Sequence, residues 1–279
     1  MKFGEWEVHS FVAGSFRLDG GAMFGVVPKN IWSKVAPADD ANRIAMVMRP
    51  LIIRGRSKTV IVDSGCGEGY GDKLAEIYAL ENLTPMEESL GKLGLNPEDI
   101  TDVIVTHLHF DHGGGVARPH GDGWRLTFPN ATHHVQRSQW EHALDPNPRD
   151  RASFFRERIE ILEKKGSLTL HVGEWSLAAG IDVLPFDGHT PGQHLPKVSG
   201  DGKTLFYGGD LIPMAAHLPT PYVMSYDLQP VVSMVEKSLL LKRAVEESWI
   251  LFFEHDPRVV ACHVTEENGR FKAVRQLDI

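Results

Sequence analysis

Three imidazoles and one carboxylate crowd into Thr106-His107-Leu108-His109-Phe110-Asp111-His112. They follow Asp102-Val103-Ile104-Val105, a short apolar, β-branched run of the kind that forms a buried strand. They precede Gly113-Gly114-Gly115, which can bring backbone close to a bound ion and open a helix. The C-terminal end of a buried strand is the usual ligand position of α/β sheets. Neutral imidazole and carboxylate suit zinc and its neighbours among the divalent metals. Alternate residues of extended chain point the same way, so His107 and His109 can share one metal. Asp111 and His112 then turn away and can hold a second. A lone His is usually a surface or hydrogen-bonded core residue. An apolar strand, however, gains nothing from ending in this much desolvated polarity unless something binds it.

Three later strand ends add to the set. Gly180 to Phe186 delivers Asp187-Gly188-His189-Thr190-Pro191-Gly192, which makes His189 a third ligand for the first metal. Lys203 to Tyr207 delivers Gly208-Gly209-Asp210, a carboxylate that can bridge two ions. Trp249 to Phe253 runs into Glu254-His255-Asp256. Asp63, closing a strand before Ser64-Gly65-Cys66-Gly67, either bonds a ligand imidazole and fixes its tautomer or simply forms a turn. His133, His134, His142, His171 and His263 sit in ordinary settings and read as structural or surface residues. His194 and His217 lie close in sequence to ligands and are placed behind them or along a pocket.

The elements that must position these groups follow from periodicity and punctuation. Glu7 to Val12, Arg43 to Arg49, Leu51 to Arg54 and Lys58 to Asp63 read as an antiparallel meander, with a turn at Gly55-Arg56-Ser57. Between its strands, Leu18 to Trp32 is apolar yet glycine-punctuated: either a hairpin with a buried loop or a flap whose Met23, Phe24 and Trp32 wall a pocket. Helices are expected over Tyr70 to Leu80, from an N-cap at Thr84 with Pro85 at the first helical position to a stop at Gly94, over Arg137 to Leu144, Asp150 to Lys164 and Val231 to Glu247. Phe128 to Val135 reads as turn and strand, and Leu168 to Val172 as a further strand. The β-rich and α-rich stretches recur once in each half. This predicts one domain over 1–279, built of two βα halves, about 1–165 and 166–279, packed face to face.

Composition narrows the partners. A chain of 279 residues with 42% hydrophobic and 24% charged residues is ordinary for a soluble globular protein. No apolar run reaches membrane-spanning length, and Met1 to Glu7 holds no secretory h-region. Only two cysteines, Cys66 and Cys262, occur, which fits a reducing, cytoplasmic setting. A net charge of −8 without a basic block argues against nucleic acid or anionic membrane as partner.

Taken together, HLHFDH at 107 to 112, GHTPG at 188 to 192, GGD at 208 to 210 and His255 resemble the metallo-β-lactamase-fold hydrolases in order and spacing, over roughly Val8 to Val264. The resemblance implies an α/β fold, a four-layer αβ/βα sandwich with a dinuclear site at one edge between two mixed sheets. It implies His107, His109 and His189 on one metal, Asp111, His112 and His255 on the other, Asp210 bridging, and Asp63 behind a ligand. No Cys stands among the ligands, unlike the lactamases proper. HLHFDH, with its Phe110, is most similar to the N-acyl-homoserine lactonases and related lactonase or phosphotriesterase-like enzymes. Leu18 to Trp32 resembles the substrate-covering loop of that branch, and a homodimer is implied as well. One departure stands out: that branch carries a Tyr soon after the bridging Asp, where this chain has Pro213. His217, Tyr222 or Tyr226 takes its place and the sequence does not choose. His217 is carried as the catalytic candidate, and Met23, Phe24, Phe110, His217 and Tyr222 as the expected pocket.

The chemistry expected is hydrolysis. Two divalent ions, zinc first, with manganese, cobalt or iron as alternatives, share a bridging hydroxide that attacks a lactone or ester carbonyl. Asp210 orients the pair and Asp111 accepts a proton. The alternatives are a phosphotriester, phosphodiester or thioester hydrolase on the same site, a di-iron redox protein, and a ligand-binding protein without turnover. No G-x-S-x-G elbow and no phosphate-binding Walker loop is present.

Overall fold

Strands that are apolar without alternation need cover on both faces. The computed structural model meets that demand with two seven-stranded mixed sheets among the described residues, which are all but Arg56. The centre of the Gly55-Arg56-Ser57 turn therefore lies outside them. In spatial order the first sheet comprises Lys2–Phe3, Trp6–Ser10, Leu51–Arg54, Thr59–Val62, Asp102–Ile104, Thr132–Gln136 and Leu168–His171. The second comprises Trp175–Ala178, Ile181–Phe186, Gln193–Gly200, Lys203–Tyr207, Ile250–Phe252, Ala261–Glu267 and Arg270–Leu277. Every strand of the first sheet precedes every strand of the second in the chain.

The period of two distributes side chains between layers. Leu51, Ile53, Val60, Val62 and Ile104 pack inward with Val183, Val198, Leu205 and Phe206 of the second sheet. Their neighbours Ile52, Ile61, Val103 and Val105 pack outward with Leu90, Trp140, Ile159 and Leu162, from helices Met86–Gly91, Arg137–Leu144 and Arg156–Lys164. On the far side, helix Pro230–Glu246 lies against Ala261–Glu267 and contributes Leu240, Leu241 and Ala244 to the core. Continuous apolar runs are thus strands sandwiched between a helix layer and the other sheet, giving the metallo-β-lactamase-type four-layer order. No described helix is long and apolar enough to cross a membrane.

Strand direction gathers the candidate ligands. Thr59–Val62 runs parallel to Asp102–Ile104, so Asp63 and His107 leave the first sheet at one edge. Lys203–Tyr207 runs parallel to Ile250–Phe252, so Asp210 and His255 leave the second sheet together.

Several expectations change. The meander breaks: Arg43–Met48 pairs with Gly14–Asp19 in a separate two-stranded ribbon rather than joining the sheet. The Leu18 to Trp32 segment is neither hairpin nor loop but two short helices, Gly20–Phe24, capped by the Asp19 carboxylate on Ala22 N, and Lys29–Trp32. Met86–Gly91 takes Pro85, not Thr84, as its N-cap, with no capping side chain. The Tyr70 to Leu80 helix shrinks to Asp72–Ile77. The Asp150 to Lys164 helix starts only at Arg156, after a 3₁₀ turn. The glycine run allows close packing: a Cβ on Gly115 would stand 2.2 Å from Ser64 O, so the run seats against the Ser64 to Gly67 turn.

His133, on Thr132–Gln136, is fully buried, and neither ring nitrogen has a hydrogen-bond partner among the described residues. Burial, then the neighbouring His134, pushes it down to about 4. The folded value lies below the unfolded one of about 6.5. Its contribution to stability is therefore complete above that pH and is lost as pH falls toward 4. Urea unfolding at pH 7.5 and 5 is expected to show His133→Phe losing less stability on acidification than the parent, by about 2 kcal/mol.

Candidate metal centre

Hydrogen bonds behind each imidazole decide what its front nitrogen can do. Thr106 Oγ1 gives its only proton to Asp63 Oδ2 at 2.7 Å, so His107 Nδ1, 3.1 Å away, must donate to it. His189 Nδ1 donates to Asp227 Oδ1 at 2.9 Å, and His255 Nδ1 to the Val47 carbonyl at 2.8 Å. His112 Nδ1 faces two carboxylates, Asp63 Oδ2 at 3.0 Å and Glu254 Oε2 at 2.9 Å. Each of these four rings, as the neutral tautomer, presents a bare Nε2 lone pair. Asp63 itself sits at φ 58°, held there by Thr106 N on its Oδ1 at 2.7 Å. Aspartate tolerates that left-handed conformation better than most residues.

The bare nitrogens converge. His107, His109, His189 and Asp210 form one group whose ligand atoms lie within 4.8 Å of one another, and Asp111, His112 and His255 form another. In the first, His189 Nε2 is 3.2 Å from His109 Nδ1 and 3.2 Å from Asp210 Oδ2, with His107 Nε2 3.9 Å from that oxygen. In the second, His112 Nε2 and His255 Nε2 are 3.1 Å apart, with Asp111 Oδ2 3.9 and 3.7 Å from them. The other Asp210 oxygen, Oδ1, faces this second group at 3.4 Å from His112 Nε2 and 3.2 Å from His255 Nε2. His107 Nε2 and Asp210 Oδ1 are buried without a directed hydrogen bond among the described residues. Facing lone pairs and orphaned buried acceptors are what a cation-binding donor set looks like, and this set fits divalent metal.

The electrostatics are divided. Burial, and then the neighbouring His112 and His109, hold His107 well below the ordinary imidazole range. Burial also pushes His255 down, but the hydrogen bond and charge of Asp210 lift it to about 9. For Asp210, burial is outweighed by His112 and His189, which keep its carboxyl well below the usual range. Metal and protons therefore compete for the same nitrogens.

A cavity of about 430 Å³ opens on both groups. His109, Asp111, His189, Asp210 and His255 form its floor, and Leu18, Met23, Met46, Phe110 and Met224 part of its wall. Of the residues expected in the pocket, Met23 and Phe110 line it. Phe24, His217 and Tyr222 do not. His217 is buried behind the wall, stacked on Phe24 with ring centroids 4.6 Å apart, and its Nε2 bonds the Met23 carbonyl at 2.9 Å. Tyr222 meets Phe24 edge-on in the same layer. Their places at the cavity are taken by Tyr226 and Tyr78. His194 is buried, its Nε2 bonded to the Val105 carbonyl.

Three supporting residues escape sequence reasoning. Glu254, a buried acid closing an apolar strand, carried a local signal. Asp227 carried none, because its partner His189 lies 38 positions away. Neither did Lys237, wholly buried on helix Pro230–Glu246, whose ammonium donates to the carbonyls of His217, Pro219 and Tyr222 at 3.0, 3.1 and 2.7 Å. Burial pushes it down to about 7. Lys237→Met strands three carbonyls under the loop that carries Met224 and Tyr226 to the cavity. It is expected to cost about 1–3 kcal/mol in urea unfolding.

Comparison with known proteins agrees with this geometry. An N-acyl homoserine lactonase of Agrobacterium fabrum is 42% identical over 81 residues, 28% of this chain and only 27% of the relative's length. An N-acyl homoserine lactonase of Bacillus thuringiensis is 30% identical over 221 residues, 71% of this chain and 76% of the relative. The crystal structure of a probable metal-dependent hydrolase from Staphylococcus aureus superposes with a TM-score of 0.90 at 29% identity, covering 99% of this chain and 100% of the other. The family model of the metallo-beta-lactamase superfamily matches residues 51–255, from the Leu51–Arg54 strand to the last of the clustered histidines, and the chain belongs to that superfamily.

Proposed function

We propose that this chain is a dinuclear metal-dependent hydrolase that opens a lactone or ester. In this reading His107, His109 and His189 would hold one divalent ion and Asp111, His112 and His255 a second, with Asp210 facing both groups. The observation that carries it is the division of the Asp210 oxygens between the two groups, each oxygen 3.2 Å from an imidazole nitrogen of its own group. When bound, such a pair, zinc or a neighbouring divalent metal, supplies Lewis acidity and lowers the pKa of water from about 15.7 toward neutrality.

The chain's own residues do the rest. Asp111 Oδ2 stands 3.9 Å from His112 Nε2 and 3.7 Å from His255 Nε2, where its carboxylate would accept the proton released in hydrolysis. Tyr226 is the one of the three candidate replacements that lines the cavity. It is 37% exposed, and its phenol, protonated at neutral pH, can donate to a carbonyl oxygen that gains charge. Leu18, Met23, Met46, Phe110 and Met224 exclude water and seat an aliphatic portion of the substrate. The relatives named N-acyl homoserine lactonase support the choice of a lactone.

The test is a hydrolysis panel on metal-quantified protein: acyl-homoserine lactones, simple γ-lactones, aryl esters, a phosphotriester, a phosphodiester and a thioester. Turnover of lactones or esters is expected, with about two metals per chain and loss on chelation. Activity confined to phosphorus esters or the thioester would overturn the substrate class. Asp111→Asn is expected to cut kcat by about 100-fold or more and to weaken retention of the second metal while the first stays bound. Tyr226→Phe is expected to lower kcat by about 100-fold with little change in KM; an unchanged kcat would remove Tyr226 from the chemistry.

A further inference from the structure

The chain passes through a tight turn just before helix Pro230–Glu246. Asp227 N–H donates to the Met224 carbonyl at 3.3 Å, so Ser225 and Tyr226 are the corners of the turn, and both line the cavity over the metal groups. The turn closes a second time through a side chain: Met224 N–H donates to Asp227 Oδ2 at 3.2 Å. The other oxygen, Oδ1, accepts the proton of His189 Nδ1 at 2.9 Å. Asp227 is 2% exposed, so solvent does not compete for either oxygen.

A turn needs no buried carboxylate, since its backbone hydrogen bond is enough to close it. An imidazole aimed at a metal needs only one oxygen behind it. Asp227 serves both, and backbone bonds keep the two parts in register. Leu228 N–H donates to the His189 carbonyl at 3.0 Å, and Gln229 N–H to the Gly188 carbonyl at 2.8 Å. The turn is tied to the opposite wall as well: Ser225 N–H donates at 2.8 Å to the carbonyl of Ala22, in the Gly20–Phe24 helix that presents Met23 to the cavity. A movement of the His189 ring therefore acts on the carboxylate that shapes the corner carrying Tyr226.

We propose that Asp227 is a positioning residue that couples occupancy of the first metal group to the shape of the substrate cavity. The inference rests on His189 being a metal ligand, as in the hydrolase reading, and adds that one carboxylate sets both the ligand and the cavity wall. A cation on His189 Nε2 makes its Nδ1–H a stronger donor, which fixes Asp227 Oδ1 and leaves Oδ2 aimed at Met224 N. By reciprocity the formed turn favours the metal by the same factor. Metal removal loosens the turn, and Ser225 and Tyr226 lose their fixed places at the cavity.

The experiment is amide hydrogen exchange over residues 222–229, read by mass spectrometry with and without saturating zinc, together with zinc affinity by chelator competition. In the parent protein, zinc is expected to slow exchange of this segment by about 10-fold more than it slows the Arg270–Leu277 strand. Asp227→Asn offers one acceptor oxygen where two are used. It is expected to bring the two segments to the same zinc response, and to weaken one zinc constant by about 10-fold while the other holds. The parent comparison needs no variant: equal zinc responses of the two segments overturn the proposal whether or not Asp227→Asn folds. The proposal is also overturned if Asp227→Asn speeds exchange over 222–229 by the same factor with and without zinc, which is the mark of a turn stabiliser alone. No substrate enters these measurements, so zinc-loaded protein that turns over no lactone or ester overturns the hydrolase reading alone.

Discussion

As neutral tautomers, His107, His112, His189 and His255 turn nitrogen lone pairs toward one another around the two oxygens of Asp210, with contacts down to 3.1 Å. Acceptors at that distance repel unless positive charge lies between them. Nothing in the rings themselves prevents each from turning aside. The pairing of their rear nitrogens with Thr106, Asp63, Glu254, Asp227 and Val47 does. Every one of those partners except Thr106 sits on a different segment from the ring it holds, so the whole sandwich is needed to keep the lone pairs aimed. This is the general behaviour of outer hydrogen bonds around metal ligands, which set tautomer and direction together.

The two sheets are tied where this matters. His194, on Gln193–Gly200 of the second sheet, gives its backbone N–H to the Thr106 carbonyl and its Nε2–H to the Val105 carbonyl of the first, both at 2.9 Å. Trp175 Nε1 donates to His194 Nδ1 at 3.3 Å, which fixes the tautomer. The peptide just before His107 is thus set by the opposite sheet. Around the rim, the Gly14–Asp19 and Arg43–Met48 ribbon and the two short helices bring Phe16, Met23, Phe24, Trp32, Met46 and Met48 into a separate apolar cluster beside Phe110. The two sheets carry the clustered histidines and aspartates, and this smaller cluster, with the Met224 to Tyr226 loop, shapes the cavity above them.

Much of this was legible in the chain. Each of the candidate ligands follows an apolar run and lies within two residues of a glycine, a proline or another ligand, because a strand end that exposes polar groups next to a tight turn leaves few other uses for them. The apolar runs of the second half gave strands close to their observed bounds, as Ile181–Phe186, Lys203–Tyr207 and Ile250–Phe252 show. Less was legible where burial is one-sided or polar. Arg270–Leu277 carries arginine, lysine and glutamine on its exposed face, Gln193–Gly200 buries the polar Gln193 and His194 and presents no apolar run, and Gly14–Asp19 is too short and mixed to read alone.

The sequence by itself determined the donor types and their grouping at strand ends, since these depend on neighbours within a few residues. Tertiary structure alone decided the rest. It sent Phe24, His217 and Tyr222 behind the wall and Tyr226 to the cavity, a choice that turns on which side of a loop packs against the ribbon. It paired His189 with Asp227 and His112 with Glu254, and it left Asp150 Oδ1 without a donor. A hydrogen bond between distant residues is set by distance and angle after the sheets have packed, and one-dimensional spacing holds neither quantity.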